Sequence, residues 1–452
     1  MPELDLVIRG GEVVNAGSRA VADVGIADGR VFALGGDLQA REEIDATGKL
    51  LLPGAIDAHV HLSGNWVDDY TSGSAAALAG GVTTVGSMTR IPSGETPLTA
   101  LGREADTVLE QAIADVFLHP IIADVTPETL AEIPALLAGG CNTIKYFMST
   151  PRFDPQALAF LEATRLAGES GLLTMIHCED HAIIAEATAR LTASGNTSLR
   201  YYPESRPVVS EVVATQRAVA IAETTGAPVY LVHLSSKRAL EVCAEAQARG
   251  VPVYVEVRPL YLYFTRERFD EPEGPKYLGQ PPLREQDDVD ALWDGIRQGA
   301  VHTVCTDHAP WTLEQKLAAD HNLTALRPGM ENLQTLLPML YSEGVRTGRI
   351  SLDRLVEVLS TNTAKLFGLY PRKGTISVGA DADIVVFDPE WSRVIDRSMV
   401  KSRAGHSVYE GWEVTGWPAI TLRRGEVVVR DDDVVGTAGS GRLVHRGATQ
   451  ML

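Results

Sequence analysis

Two histidines one residue apart, His59-Val60-His61, close an apolar run that begins at Ala55. In an extended strand residues i and i+2 project to the same side, so the two imidazoles are placed to share one cation. Core packing produces such a pair as well. Four further residues sharpen the signal: Lys145 within the run Thr143 to Met148, His177 ending Leu172 to His177, His233 near the end of Val229 to Leu234, and Asp307 ending His302 to Asp307. Histidine, lysine and aspartate are costly to bury without partners. Taken singly, His177 and His233 read as core histidines bonded to backbone, Asp307 as a helix cap, and Lys145 as a strand lysine that snorkels outward or pairs with Asp307. Together those readings require four independent coincidences at one end of the fold.

The elements that must position these residues are apolar, β-rich runs, most followed by an alanine- and leucine-rich helical stretch. Besides the runs above, of which the first extends from Ala55 to Leu62, they are Val82 to Met88, Val116 to Ala123 and Val253 to Val257, giving eight in all. Strands buried on both faces and separated by helices imply parallel pairing, and eight such units predict a closed (β/α)8 barrel with its active site at the C-terminal ends of the strands. A doubly wound open sheet competes, but no GxGxxG follows an early strand. Helices near Glu331 to Leu340 and Leu352 to Leu369 are expected to complete the outer layer. At both termini short β-branched runs alternate with turns, as in Leu6-Val7-Ile8-Arg9-Gly10-Gly11 and Leu422-Arg423-Arg424-Gly425-Glu426-Val427. Neither segment buries a core alone, so residues 1–53 and 372–436 are expected to pair into a small β-sandwich around a barrel spanning 54–371. Residues 437–452, rich in glycine and small side chains, read as a contact arm or a frayed tail.

Composition excludes several classes. Of 452 residues 45% are apolar and 22% charged, which is a folded protein rather than a disordered, collagen-like or disulfide-stapled one. Forty basic against 59 acidic side chains give a formal charge of −19, which disfavours nucleic-acid and anionic-membrane binding. No apolar stretch approaches a membrane span, and the acidic start Met1-Pro2-Glu3-Leu4-Asp5 is unlike a basic secretory leader, so a cytoplasmic location is expected. Cys141, Cys178, Cys243 and Cys305 show no CxxC spacing and read as buried, reduced thiols.

The segments LLPGAIDAHVHL, TIKYFM, MIHCED, LVHLSS, TDHAP, TNTAKLFGLYPRKGTISVGADADIVVFDP and YEGWEVTGWP resemble the cyclic-amidohydrolase branch of the amidohydrolase superfamily, closest to hydantoinases and dihydropyrimidinases. The resemblance spans nearly the whole chain. It implies that His59, His61 and Asp307 bind one divalent metal, that His177 and His233 bind a second, and that Lys145 is carboxylated by carbon dioxide to N6-carboxylysine and bridges both. An ammonium cannot ligate a cation, whereas a carbamate offers anionic oxygens to two ions ~3.5–4 Å apart. Nitrogen and oxygen donors without thiolate suit zinc, with manganese, cobalt, nickel or iron as alternatives. The implied reaction is opening of a cyclic amide by a metal-bridging hydroxide, with Asp307 acting first as base and then as acid. A homodimer or homotetramer is implied in the same way.

The chain also departs from that pattern. Dihydropyrimidinases place an oxyanion-stabilising tyrosine five residues after the bridging lysine, where this chain has Thr150. Gln280 precedes Pro281-Pro282-Leu283-Arg284 where a serine often contacts the ring. Both changes point to altered specificity, and Asn65 and Trp66, on the loop after His61, are further candidate substrate contacts. The arginine that dihydroorotases carry soon after HxH and the acidic-Pro-Gly run of allantoinases are both absent, which disfavours those two alternatives. A non-enzymatic scaffold relative is disfavoured because all six ligand positions survive. Of the remaining histidines, His181 reads as a surface residue and His308 as a supporting or substrate-side group; His119, His302, His321, His406 and His445 carry no usable pattern.

Overall fold

In the computed structural model, which describes residues 4–318, 322–323 and 325–452, eight parallel strands pair in consecutive order. They are Ala55–Val60, Val82–Arg90, Asp115–Ile121, Thr143–Phe147, Leu173–His177, Val229–Leu231, Val253–Val257 and Thr303–Val304. Each coincides with one of the eight apolar runs, because strands covered on both faces lose the alternation that marks half-exposed ones. The sheet closes on itself: Val60 bridges His308 in parallel, and the His61 N–H donates to the His308 carbonyl at 2.7 Å. That contact joins the two edges an open doubly wound sheet would leave free. The architecture is therefore a (β/α)8 barrel.

Short polar residues fix where strands give way to helices. Asp69 accepts from the N–H groups of Thr71 and Ser72 ahead of helix Tyr70–Ala79, and Ser236 accepts from Ala239 N–H ahead of Lys237–Ala248. The predicted helix from Glu331 is shorter than expected. It begins at Leu336, because Met330 is bridged to His308 and the Asn332 amide donates to the Thr306 carbonyl, which ties residues 330–332 to the barrel rim. The stretch Leu352 to Leu369 is broken in the middle as well: helices Leu352–Val356 and Asn362–Leu366 flank a π-helical turn at Glu357–Thr361.

The terminal segments build two further sheets. One pairs Leu4–Arg9 with Val24–Ala27 and Ala40–Asp45 and is completed by Arg30–Leu34; the other has seven strands and contains segments from both ends of the chain. In the larger sheet Leu50–Pro53 runs antiparallel to Ile384–Val394, with Leu51 opposite Val386 and Pro53 opposite Ile384. Ile8, Ile26 and Val31 from the smaller sheet pack with Leu51, Ile384 and Leu422 from the larger in one apolar cluster.

The C-terminal tail is not frayed, and that reading is corrected. Val444 N–H donates to the Val116 carbonyl at 2.7 Å, Arg442 accepts from Val116 N–H at 2.8 Å, and Thr449 N–H donates to Gly171 at 3.0 Å. The Asn142 amide reaches the Thr449 hydroxyl at 3.2 Å, and Arg446 donates to the Leu118 carbonyl at 2.5 Å. These partners sit at or near the N-terminal ends of the third, fourth and fifth barrel strands, so the tail seals the face opposite the catalytic rim. Extended backbone with no sheet of its own is ordered because its donors and acceptors are satisfied by the barrel. All four cysteines are free and buried. Among the described residues no helix is long and apolar enough to cross a membrane.

Candidate active site

The barrel brings five of the six predicted ligand side chains to the wall of one cavity of about 250 Å³: His59, His61, His177, His233 and Asp307. His59 is the next-to-last residue of the first strand, and His61 lies just beyond its end. The His61 Nε2 is 3.0 Å from Asp307 Oδ1, and the His59 Nε2 is 3.2 Å from the same oxygen. On the other side His177 Nδ1 and His233 Nε2 face each other at 3.0 Å, with ring centroids 4.6 Å apart. His59, His233 and Asp307 present donor atoms within 4.8 Å of one another.

Backbone geometry contributes to this convergence. His233 and Asp307 both adopt left-handed conformations, with φ of 41° and 49°. Such values are uncommon outside glycine and are held only where the surroundings fix them. At His233 the fixing contact is its N–H donating to Glu256 Oε1 at 2.8 Å; beside Asp307, Thr306 is held by Asp57 through both backbone and hydroxyl.

Lys145 is the sixth ligand position. It lies on the fourth strand, fully buried, its Nζ 4.9 Å from the Phe147 ring centroid and without a hydrogen-bond partner among the described residues. Burial pushes its ammonium down to about 8, with Glu256 and Asp307 resisting. Burial likewise pushes the imidazoles of His61, His177 and His233 down, which leaves them in the neutral form that binds metal. The Asp307 carboxyl is held well below the usual range: burial pushes it up, but His59, Arg258 and His61 outweigh that effect.

Among the described residues the buried Lys145 amine and the buried His233 Nδ1 have no partner, which is unfavourable in a protein-only site, since buried polar groups cost free energy when unpaired. Divalent cations and a carbamate on Lys145 would satisfy them. The donor set, four imidazoles and a carboxylate with no thiolate, suits a borderline metal such as zinc.

Several supporting groups were not singled out from the sequence. Glu256 accepts from His59 Nδ1 at 2.8 Å and from the Tyr230 hydroxyl at 2.9 Å, fixing the imidazole so that Nε2 faces the cavity. Glu179 bonds His177 Nε2 at 2.8 Å and is itself gripped by Arg206 Nε at 3.0 Å. Arg258 places Nη1 3.3 Å from Asp307 Oδ2. Signals for two of these exist: Glu256 interrupts the otherwise apolar, β-rich run Val253–Val257, and Glu179 follows His177 by two residues.

The candidate substrate contacts divide. Trp66 and Gln280 line the cavity, and the Trp66 ring lies 5.5 Å from that of His61. Asn65 is exposed and is not part of the lining, and the Thr150 hydroxyl donates to the Phe147 carbonyl at 3.3 Å beside a separate cavity bounded by Ile122, Pro151 and Arg152. His308 bonds Asp68 at 2.9 Å, a carboxylate also held by Ser402 and the Arg403 N–H. His181 is partly buried and faces the Ser149 carbonyl, at 3.2 Å. His321 lies outside the described residues.

Residues 50–428 match the amidohydrolase family, and the chain belongs to it. It is 34% identical to a D-hydantoinase of Ralstonia pickettii, covering 98% of this chain and 99% of that one. It is 36% identical to a D-phenylhydantoinase of Escherichia coli O1:K1, covering 98% of both. Among solved structures, the dihydropyrimidinase from Brevibacillus agri superimposes with a TM-score of 0.95 at 36% identity over 99% of each chain. The L-hydantoinase from Arthrobacter aurescens gives 0.92 at 30% identity, over 98% of this chain and all of that one.

Proposed function

We propose that this protein is a metal-dependent cyclic amidohydrolase that opens a ring of the hydantoin or dihydropyrimidine type. The observation that carries the reading is the meeting of four histidines and Asp307, from four strand ends, near a buried lysine amine that has no hydrogen-bond partner among the described residues. In this reading His59, His61 and Asp307 hold one ion, His177 and His233 the other, zinc fits best, and Lys145 joins both as its carbamate. Bound metal would supply Lewis acidity and a water acidic enough to be deprotonated near neutral pH.

The chain's own side chains do the rest. Asp307 Oδ2, kept ionised by Arg258, accepts the proton of the attacking water and delivers it to the ring nitrogen as the carbon–nitrogen bond breaks. Glu256 and Glu179 hold His59 and His177 in one tautomer and orientation. Trp66, Phe147 and Pro328 wall the cavity and exclude bulk water from the ring, while Gln280 offers an amide to ring polar atoms. Hydantoinase-named and dihydropyrimidinase-named relatives at full-length similarity support this substrate class. The barrel over residues 54–371 carries the chemistry, on a sandwich of 1–53 and 372–436. A homodimer or homotetramer in the cytoplasm completes the reading, and light scattering on purified protein tests the assembly.

Metal analysis of the purified protein, together with ring opening of hydantoin and dihydrouracil after supply of zinc and bicarbonate, tests the proposal. About two metal equivalents per chain with turnover is the expected result; no metal retained and no ring opened would overturn it.

A further inference from the structure

Arg90 ends the second barrel strand and lines the same cavity as the candidate metal ligands. It is exposed, and among the described residues its guanidinium has no hydrogen bond, ion pair or ring contact. The acids nearby are committed elsewhere. Arg103 takes Glu95 at 3.3 Å and Glu104 at 3.5 Å while donating to Arg90's own carbonyl, and Arg152 pairs with Asp124. The lining carboxylate, Asp307, is engaged by His61 and Arg258. The described wall of the cavity therefore offers a cation without a counter-ion and no anion without one. The setting gives this weight, because a chain of net charge −19 repels anions at long range, and an unpaired guanidinium in the cavity wall offsets that locally.

We propose that Arg90 is a specificity-determining residue that selects cyclic amides bearing a carboxylate, on the ring or on a short arm. The guanidinium fork would take the carboxylate by charge-assisted hydrogen bonds, while Trp66 and Phe147 flank the ring over the metal ligands. This rests on the cyclic-amidohydrolase reading of the site and narrows it.

The test compares hydantoin-5-acetate with its uncharged amide, hydantoin-5-acetamide, on zinc-loaded protein. The acid is expected to have a kcat/KM about tenfold or more above the amide, the scale of a hydrogen bond to a charged group. Arg90→Gln should remove that preference, mainly through KM; Arg90→Lys should restore part of it and Arg90→Glu should invert it. High ionic strength should shrink the preference of the unaltered protein. Equal use of acid and amide, or a ratio unmoved by Arg90→Gln, overturns the assignment to Arg90 and leaves the cyclic-amidohydrolase reading standing. Failure to open hydantoin, dihydrouracil or the acid overturns both. Binding of the acid and the amide to Asp307→Asn, with and without Arg90→Gln, reads the same preference without turnover.

Discussion

Lys145 illustrates how far a single residue's chemistry depends on its surroundings: fully buried among neutral imidazoles, its amine has lost the solvation that keeps a surface lysine charged. Lys145→Ala is expected to abolish nearly all ring opening and to lower bound metal to one equivalent or less, read by turnover and metal analysis side by side; wild-type turnover would remove the bridging role. Glu256→Gln should weaken metal binding by about 10–100-fold, because the second partner of a ligating imidazole sets its basicity and orientation. Competition with a chelator measures that, and unchanged affinity would show that His59 is positioned by packing alone. The ligands themselves were legible because HxH and strand-end polar residues stand out against apolar runs. Arg258 and Arg90 were not, since nothing local says that the first reaches Asp307 and that the second meets no acid.

The barrel strands were readable for a physical reason: burial on both faces makes them continuous apolar runs, and parallel order follows from the helices between them. The helices after Met330 were misjudged in extent because tertiary ties at Met330 and Asn332 override local propensity. Strand packing also yields a pH dependence. His302 precedes the eighth strand, accepts from the Val255 N–H at 3.1 Å through Nδ1, and is pushed by burial, with Arg354 adding to it, from 6.5 down to about 4. The unfolded chain therefore takes up this proton first on acidification, so His302 subtracts stability as pH falls from about 6.5 through about 4. Urea midpoints across that range should decline, and less so in His302→Asn, which keeps an acceptor; parallel curves would assign the decline to other groups. For the tail, truncation after Gly441 removes Val444 from the core together with the bonds to Val116, Leu118 and Gly171, and should cost roughly 2–4 kcal/mol in unfolding free energy. An unaltered midpoint would make the tail an ornament of the barrel rather than part of it.

Across the whole molecule, barrel and terminal sheets meet at a buried ionic knot. Lys373 Nζ lies 2.7 Å from Asp115, at the start of the third barrel strand, and also pairs with Asp381 and Asp383, while Arg424 reaches Asp115 from the other side. Three carboxylates this close would suit a cation, and Lys373 is that cation. Lys373→Met should destabilise the fold by roughly 3–5 kcal/mol, since it strands buried carboxylates, and salt should change that little. Chemical denaturation at two ionic strengths checks both.

Leu50–Pro53 pairs antiparallel with Ile384–Val394, more than 330 residues later, and the barrel floor receives bonds from residues beyond 440. During synthesis at ~5–20 residues per second, the nascent amino-terminal segment spends on the order of tens of seconds with an unpaired β edge. A nascent chain halted short of residue 440 would already carry every candidate metal ligand yet stand open at its base, exposed to chaperone capture.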